Sequence, residues 1–437
     1  MRVAVVGAGP SGIYCAEALT ARPNVEVDVF ETLPVPFGLV RYGVAPDHFS
    51  IRSVRDKLSE AFENPRVNFR GNVEVGRDIT VSELSDWYDA VIYTYGAAAD
   101  RKLGIPGEES ASSIAATDFV KWYTGHPDAR SYNDLLASSR SVCVIGLGNV
   151  AVDVARLLLK PVEELRQTDI PGHVLEAFAA STVREVHIVG RRGPQHATFT
   201  TKELKELGEI PETSVVVQTE DLPIDDDVAS EGIRVTERNL KVLRDWSTQS
   251  VTPSDKTLYF HFYSTPIEYS AEQKVLRVER MALDPYQGIT KTGQIEELPA
   301  DSLIRSVGYR GMELEGLPFD ESNFTIPSSE GKVAGSRNSY VAGWIKRGPS
   351  GIIGTNKKDA VATVETLMLH TQESESTKSL EDVDAILRER GIKFVDFKGW
   401  LRIDSAEKNL GAEQGRERTT IHDRASLLRI GIGDQTG

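Results

Sequence analysis

The chain has 437 residues, 40% hydrophobic and 26% charged, the balance of an ordinary globular protein; at ~150 residues per domain this length predicts two or three domains. A net charge of −15 and a pI near 5.2 disfavour general binding to nucleic acid or anionic lipid. Two cysteines, Cys15 and Cys143, exclude a disulfide framework, a CxxC redox pair, an all-cysteine zinc site and an iron–sulfur cluster, and the lack of a long apolar run or a signal-peptide core predicts no membrane span and a cytoplasmic protein.

Residues 3–6 form a short continuous apolar run, as in a strand buried on both faces. Residues 12–22 read as a helix and 25–30 as a second, alternating strand. This opening predicts parallel pairing through a right-handed crossover. Residues 33–48 carry Pro34, Pro36 and Pro46 with Gly38 and Gly43, so a loop is predicted there, long enough to be functional. Helical spacing resumes over 50–62, and 90–95 is a buried strand ending at Gly96. A second opening follows, with strand 141–145, turn 146–148 and helix 150–159. Strand 183–189, helix 200–207 and a longer basic helix over 232–246 come next. Residues 258–263 and 275–283 read as strands of an antiparallel meander, and 303–307 and 340–342 as strands returning to the first sheet. Residues 351–369 open with glycine and continue as a long helix, 371–379 is linker-like, and a short helical tail ends the chain.

Gly7-Ala8-Gly9-Pro10-Ser11-Gly12 is G-x-G-x-x-G between a strand and a helix. The first glycine permits the tight turn, the second lets backbone approach a pyrophosphate, and the third lets helix pack close to strand, with the helix N-terminus facing the phosphates. Glu31 ends the next strand, where a carboxylate accepts hydrogen bonds from ribose hydroxyls. Gly146-Leu147-Gly148-Asn149-Val150-Ala151 repeats the pattern with alanine as its third small residue. The strand after it ends in Arg191-Arg192 instead of an acid, and two guanidiniums there argue for a 2′-phosphate, hence NADP over NAD. The spacing requires an insertion of roughly residues 160–182; the alternative for the arginines is a solvated strand end. Two such sites in one chain predict FAD facing a nicotinamide cofactor, a pair that converts hydride transfer into single-electron transfer.

On these motifs the chain resembles the adrenodoxin-reductase-type ferredoxin–NADP reductases. The resemblance runs nearly end to end, through GAGPSG (7–12), VPFGLVRYGVAPDH (35–48), GNVEVGRDI (71–79), LGIPGEE (103–109), GNVAVDVARLLL (148–159), IVGRRGP (188–194), FTTKEL (199–204), RSVGYRG (305–311) and GWIKRGPSGIIGT (343–355). It implies an α/β fold of two Rossmann-like domains, the NADP domain (99–302) inserted into a discontinuous FAD domain (1–98 and 303–437). It implies FAD held through Gly7, Gly9, Pro10, Ser11, Gly12 and Glu31, with Gly38, Leu39 and Gly96 beside it, and with backbone N–H groups of Gly351, Ile352 and Ile353 at the flavin. NADP(H) would lie on Gly146, Gly148, Asn149 and Val150, with Arg191 and Arg192 on its 2′-phosphate and Glu203 near its ribose or the arginines. Trp344 would sit by the nicotinamide, and His48 and Glu206 would form a polar pair near the flavin. Each has a plainer alternative: core packing for Trp344, loop capping for His48, a solvated helix position for Glu206.

The basic helix carries Arg234, Arg238, Lys241 and Arg244, which at 100° per residue share one face. On so acidic a protein this stripe suits docking to a small, still more acidic iron–sulfur ferredoxin; the alternative is an ordinary solvated face, partly neutralised by Glu237 and Asp245. Oligomeric state is open between monomer and weak dimer. A disulfide reductase would need the absent CxxC. A non-catalytic nucleotide sensor is disfavoured by intact glycines at both turns.

Overall fold

The computed structural model describes residues 1–223, 233–249, 254–283, 288–351, 353–370 and 380–433. Two compact units result: Met1–Ala99 with Thr124–Asp128 and Tyr309–Gly437, and Asp100–Tyr123 with Ala129–Gly308. The second is inserted into the first, and the chain returns to the first at 308/309 instead of 302/303.

The first unit is built on a seven-stranded sheet, in the order Ser328–Ser329, Lys332–Val333, Ser339–Val341, Ala90–Tyr93, Arg2–Val6, Glu26–Glu31, Val67–Gly71. The last five strands are parallel. Every residue of Arg2–Val6 is buried because both faces of the sheet are covered. Val3 and Val5 pack with Ile13, Leu19, Val364 and Leu367 of helices Pro10–Thr20 and Ile353–His370. Ala4 and Val6 face the opposite cluster, with Leu84, Val383 and Leu387. The tail helices Leu380–Glu389, Phe397–Glu413 and Arg424–Ile432 supply Val383, Trp400, Ile403 and Leu427 to these clusters, so the C-terminal segment belongs to the core of this unit.

The second unit holds a six-stranded, wholly parallel sheet, in the order Ser113–Ala115, Ser302–Arg305, Ser141–Ile145, Glu185–Val189, Lys256–His261, Thr213–Val217. An antiparallel meander accompanies it: Ser264–Ser270, Val275–Leu283, Ile289–Pro299. The insertion over 160–182 contains helices Val162–Leu165 and Gly172–Ala179, which bury Leu165, Val174, Leu175 and Phe178 in this unit's core.

Several expectations are corrected. The strand near 303 does not return to the first sheet; Ser302–Arg305 pairs with Ser113–Ala115 and Ser141–Ile145 of the second. The strand near 258 is not part of the meander. It pairs parallel to Thr213–Val217, the two joined through helix Ile233–Ser247 as a βαβ crossover. Thr213–Val217 was not among the expected strands, so that unit was not anticipated. The 33–48 loop contains the short helix Leu39–Tyr42, and the expected 50–62 helix is broken into Phe49–Arg52, Val54–Ser59 and a 3₁₀ turn, Glu60–Glu63. The linker over 371–379 and Ile352 lie outside the described residues, as does the Arg234 side chain. No helix among the described residues is long and apolar enough to cross a membrane.

Candidate active site

The three glycines of the first turn meet three different surroundings. Gly7 has φ +107°, and a Cβ there would lie 2.9 Å from the Thr94 carbonyl group. The Thr94 hydroxyl donates to the carbonyls of Val6 and Gly7, both at 2.9 Å. At Gly12 a Cβ would fall 1.9 Å from the Gly7 carbonyl oxygen, so only glycine lets helix Pro10–Thr20 sit this close to the turn. Gly9 has ordinary extended backbone (φ −75°, ψ 179°) and open space beyond it. It is the N-cap of that helix, whose start carries Pro10 and Ser11, no acidic side chain and no side-chain cap. Uncapped N–H groups beside an open glycine fit a pyrophosphate.

Glu31 binds the turn itself. Its carboxylate accepts the Ala8 N–H at 2.8 Å and the Leu33 N–H at 3.1 Å. Burial pushes its pKa up, and the backbone N–H bonds pull the other way. With two lone pairs on each oxygen, the carboxylate keeps acceptor capacity for ribose hydroxyls. The 33–48 segment lies on the same turn: Phe37 N–H donates to the Ala8 carbonyl at 2.8 Å, and Gly38, at φ +49°, would bring a Cβ within 3.2 Å of the Gly9 Cα. Leu39 then begins its short helix. Gly96, at φ +75°, also faces open space.

Gly343, at φ +79°, packs where a Cβ would strike the Ser11 hydroxyl at 2.3 Å. Asp359 holds this corner, accepting from the Gly343 N–H at 2.6 Å and from Lys346 Nζ at 2.8 Å. Trp344 opens helix Trp344–Arg347 and meets the Tyr309 ring at 5.4 Å. Its indole Nε1 is buried and has no acceptor among the described residues. An unmade bond of that kind costs about 1–3 kcal/mol, which a ligand acceptor would recover. Gly351 has φ +85°, Ile353 begins the 353–370 helix, and Gly354 faces open space.

The second turn repeats these features. Gly146 has φ +139°, and its Cβ would lie 2.2 Å from the Ser306 carbonyl oxygen. Gly148 is extended, with Thr198 Oγ1 nearest its Cβ position at 3.4 Å. Asn149 and Val150 begin helix Asn149–Leu159, whose first turn carries no acidic side chain; the Asn149 amide oxygen accepts the Thr200 N–H at 2.9 Å. Arg191 and Arg192 follow strand Glu185–Val189, both exposed, with no ion pair to a described residue. Partial burial and the Arg192 charge push the His196 pKa down.

The acids of the next helix are more committed. Glu203 completes a capping box at the start of Thr201–Gly208, with its Oε2 accepting the Thr200 hydroxyl at 2.7 Å. Glu206 has Arg156 Nε at 3.6 Å and Lys202 Nζ at 3.9 Å. It lies in the inserted unit and His48 in the other. His48 is buried at the N-cap of Phe49–Arg52, but its ring does not cap that helix. Cys15 and Cys143 are both buried, and burial pushes both thiols up, so they are core residues. Thr94, Ser306 and Asp359 were not among the expected site residues. No spacing rule points to Thr94 or Ser306, which reach Gly7 and Gly146 from distant parts of the chain, and Asp359 meets Gly343 from the next helix, 16 residues on.

Residues 1–208 match the family model described as pyridine nucleotide-disulphide oxidoreductase. The chain is 45% identical to the NADPH-ferredoxin reductase FprA of Mycobacterium leprae, over 99% of its own length and 98% of that protein's. It is 35% identical to the human mitochondrial NADPH:adrenodoxin oxidoreductase, over 98% of this chain and 91% of that one. The structure of Mycobacterium tuberculosis FprA in complex with NADPH superposes with a TM-score of 0.92, at 42% identity over 99% of both chains. Two glycine-turn α/β units in one chain define an oxidoreductase with two dinucleotide sites. The chain belongs to the NADPH–ferredoxin reductase family that includes the adrenodoxin reductases.

The glycine geometry separates folding from binding. Gly9→Val should leave the apoprotein's Tm near wild type but raise the FAD Kd at least ~10-fold, a loss of about 1.4 kcal/mol, while Gly12→Ala should lower the apoprotein's Tm by several degrees. Flavin titration and thermal melts of both variants check this; a Gly9→Val protein that binds FAD normally contradicts it. At the second turn, Arg191→Ala should raise KM for NADPH roughly tenfold or more and barely change NADH kinetics, because a charge-assisted bond is worth about 1.5–3 kcal/mol. Equal losses with both cofactors would make the arginine structural.

Proposed function

We propose that the chain is a FAD-containing NADPH–ferredoxin reductase in which the Gly7–Gly12 turn binds FAD, the 146–151 turn binds NADP(H), and a small acidic iron–sulfur protein takes up the electrons. The open position at Gly9, on an uncapped helix N-terminus, carries this reading. Bound FAD supplies the chemistry, accepting hydride from NADPH and releasing electrons one at a time.

The protein's own part is binding, orientation and charge. The N-terminus of Pro10–Thr20 and the Glu31 carboxylate hold the FAD pyrophosphate and ribose. The start of helix Ile353–His370, with Gly351 before it, offers N–H groups to the flavin, and its positive end favours negative charge there. Trp344, kept in place by the Gly343–Asp359 bond, offers its indole N–H and ring to the nicotinamide end. Arg191 and Arg192 select the 2′-phosphate. His48, at a ring nitrogen, and Glu206, at its carboxylate, handle protons near the flavin. If so, His48→Ala or Glu206→Ala should leave stopped-flow flavin reduction by NADPH near wild type and cut steady-state electron output severalfold or more. Equal losses in both phases would indicate packing instead.

The docking face assigned to the acidic partner is helix Ile233–Ser247. Arg238 is exposed there, Lys241 is paired with Asp245 at 2.8 Å, and an Arg244 Nη donates to the Pro223 carbonyl at 2.9 Å. The Lys241–Asp245 pair therefore offsets part of the stripe's charge, and Arg238 and Lys241 are its exposed positions. The test is anaerobic bleaching of the yellow protein by NADPH, followed by NADPH-driven ferredoxin reduction. Reversing Arg238 and Lys241 to Glu should slow ferredoxin turnover and flatten its salt dependence, mainly through association rate, and leave ferricyanide reduction little changed. A colourless folded protein that takes up no FAD refutes the function; unaltered ferredoxin kinetics in the double variant refutes the docking face.

A further inference from the structure

The C-terminal segment grips the loop that lies on the first glycine turn through a single buried carboxylate. Glu407, on helix Phe397–Glu413, is 0% exposed. Its two oxygens accept four hydrogen bonds. Arg41 donates both Nη groups, one at 3.1 Å to Oε2 and the other to Oε1; Arg418 Nη1 donates to Oε2 at 2.7 Å, and the Ile421 N–H to Oε1 at 2.9 Å. Arg418 also pairs with the half-buried Asp404, which Lys408 contacts as well, so both guanidiniums have carboxylate partners. The fork of Arg41 meets the carboxylate edge-on, the bidentate arrangement that fixes direction as well as distance.

Arg41 stands in the short helix Leu39–Tyr42, immediately after Gly38. Its carbonyl accepts from Arg52 Nη1 at 3.1 Å. Its guanidinium lies 5.4 Å from the Trp400 ring centre, and Trp400 meets Phe37 edge-on at 5.3 Å. Phe37 N–H is itself hydrogen-bonded to the Ala8 carbonyl, and a Cβ on Gly38 would come within 3.2 Å of the Gly9 Cα. A continuous set of contacts thus runs from the tail helix through Arg41 and Phe37 to the backbone of the glycine turn, across 366 residues of sequence.

We propose that Glu407 is a positioning residue for the flavin: by clamping Arg41 it holds residues 37–42 against the Gly9 opening and so sets how tightly FAD is kept. This rests on the assignment of FAD to the first turn. Glu407→Gln should raise the FAD Kd at least tenfold and alter the visible circular dichroism of the bound flavin. Because the glutamine variant leaves two buried guanidiniums short of a carboxylate, Arg41→Lys serves as the second probe. It keeps the charge balance and loses the fork, and it should raise the FAD Kd severalfold with the same change in dichroism. If Glu407→Gln fails to fold, Arg41→Lys decides the matter. A lower Tm with wild-type FAD Kd and wild-type dichroism in the folded variants would show that the network serves stability alone and overturn the proposal. Gly9→Val, measured alongside, separates the two levels: flavin lost in Gly9→Val but kept in the Glu407 and Arg41 variants overturns only the positioning role. Flavin kept in all three overturns the assignment on which it rests.

Discussion

In both units the backbone of a neighbouring strand occupies the space where a side chain on the first turn glycine would begin. Thr94, just beyond strand Ala90–Tyr93, does this to Gly7, and Ser306, just beyond Ser302–Arg305, does it to Gly146. Each turn is forced into a positive φ over that support, which leaves the following helix to start from an extended glycine with its first N–H groups uncommitted. In the first sheet, strand Arg2–Val6 has Glu26–Glu31 on one side and Ala90–Tyr93 on the other. The turn therefore opens at the carboxyl ends of the strands, the position at which doubly wound sheets bind ligands.

The polar groups around these turns sort by whether the protein satisfies them. Glu203 is engaged in its capping box and Glu407 is saturated by four donors; such groups hold structure. Arg191 and Arg192 make no ion pair with a described residue, and Trp344 Nε1 is buried without an acceptor; these are groups a ligand would complete. Glu31 belongs to both sets, since it anchors Ala8 and Leu33 and still has lone pairs to offer. The same contrast applies to the basic helix, where Arg238 is exposed but Lys241 and Arg244 already have partners.

What was legible in the chain was local. The two glycine patterns, the apolar runs before them and the helices after them follow from steric and solvation rules acting over a few residues, so strand Ser141–Ile145 and the start of helix Asn149–Leu159 lie within a residue of expectation. The insertion of one unit into the other came from the resemblance to a family and stands in the structure, with a later return point.

Partnership between distant segments was not legible. An apolar run such as 303–307 carries its own burial but not the identity of its neighbour, so its place in the second sheet, under Gly146, emerged only from the hydrogen-bond register. The same holds for Lys256–His261, whose parallel pairing depends on a strand and a helix that precede it. Glu407 is the extreme case: nothing in the local sequence of a tail helix indicates a carboxylate buried against Arg41. The two turns, their glycines and the acid or arginines that follow them could be read from the residues alone, because backbone sterics and short-range geometry dictate them. The strands that support the turns and the tail carboxylate that binds Arg41 came from the fold, because long-range pairing is selected by the packing of whole elements.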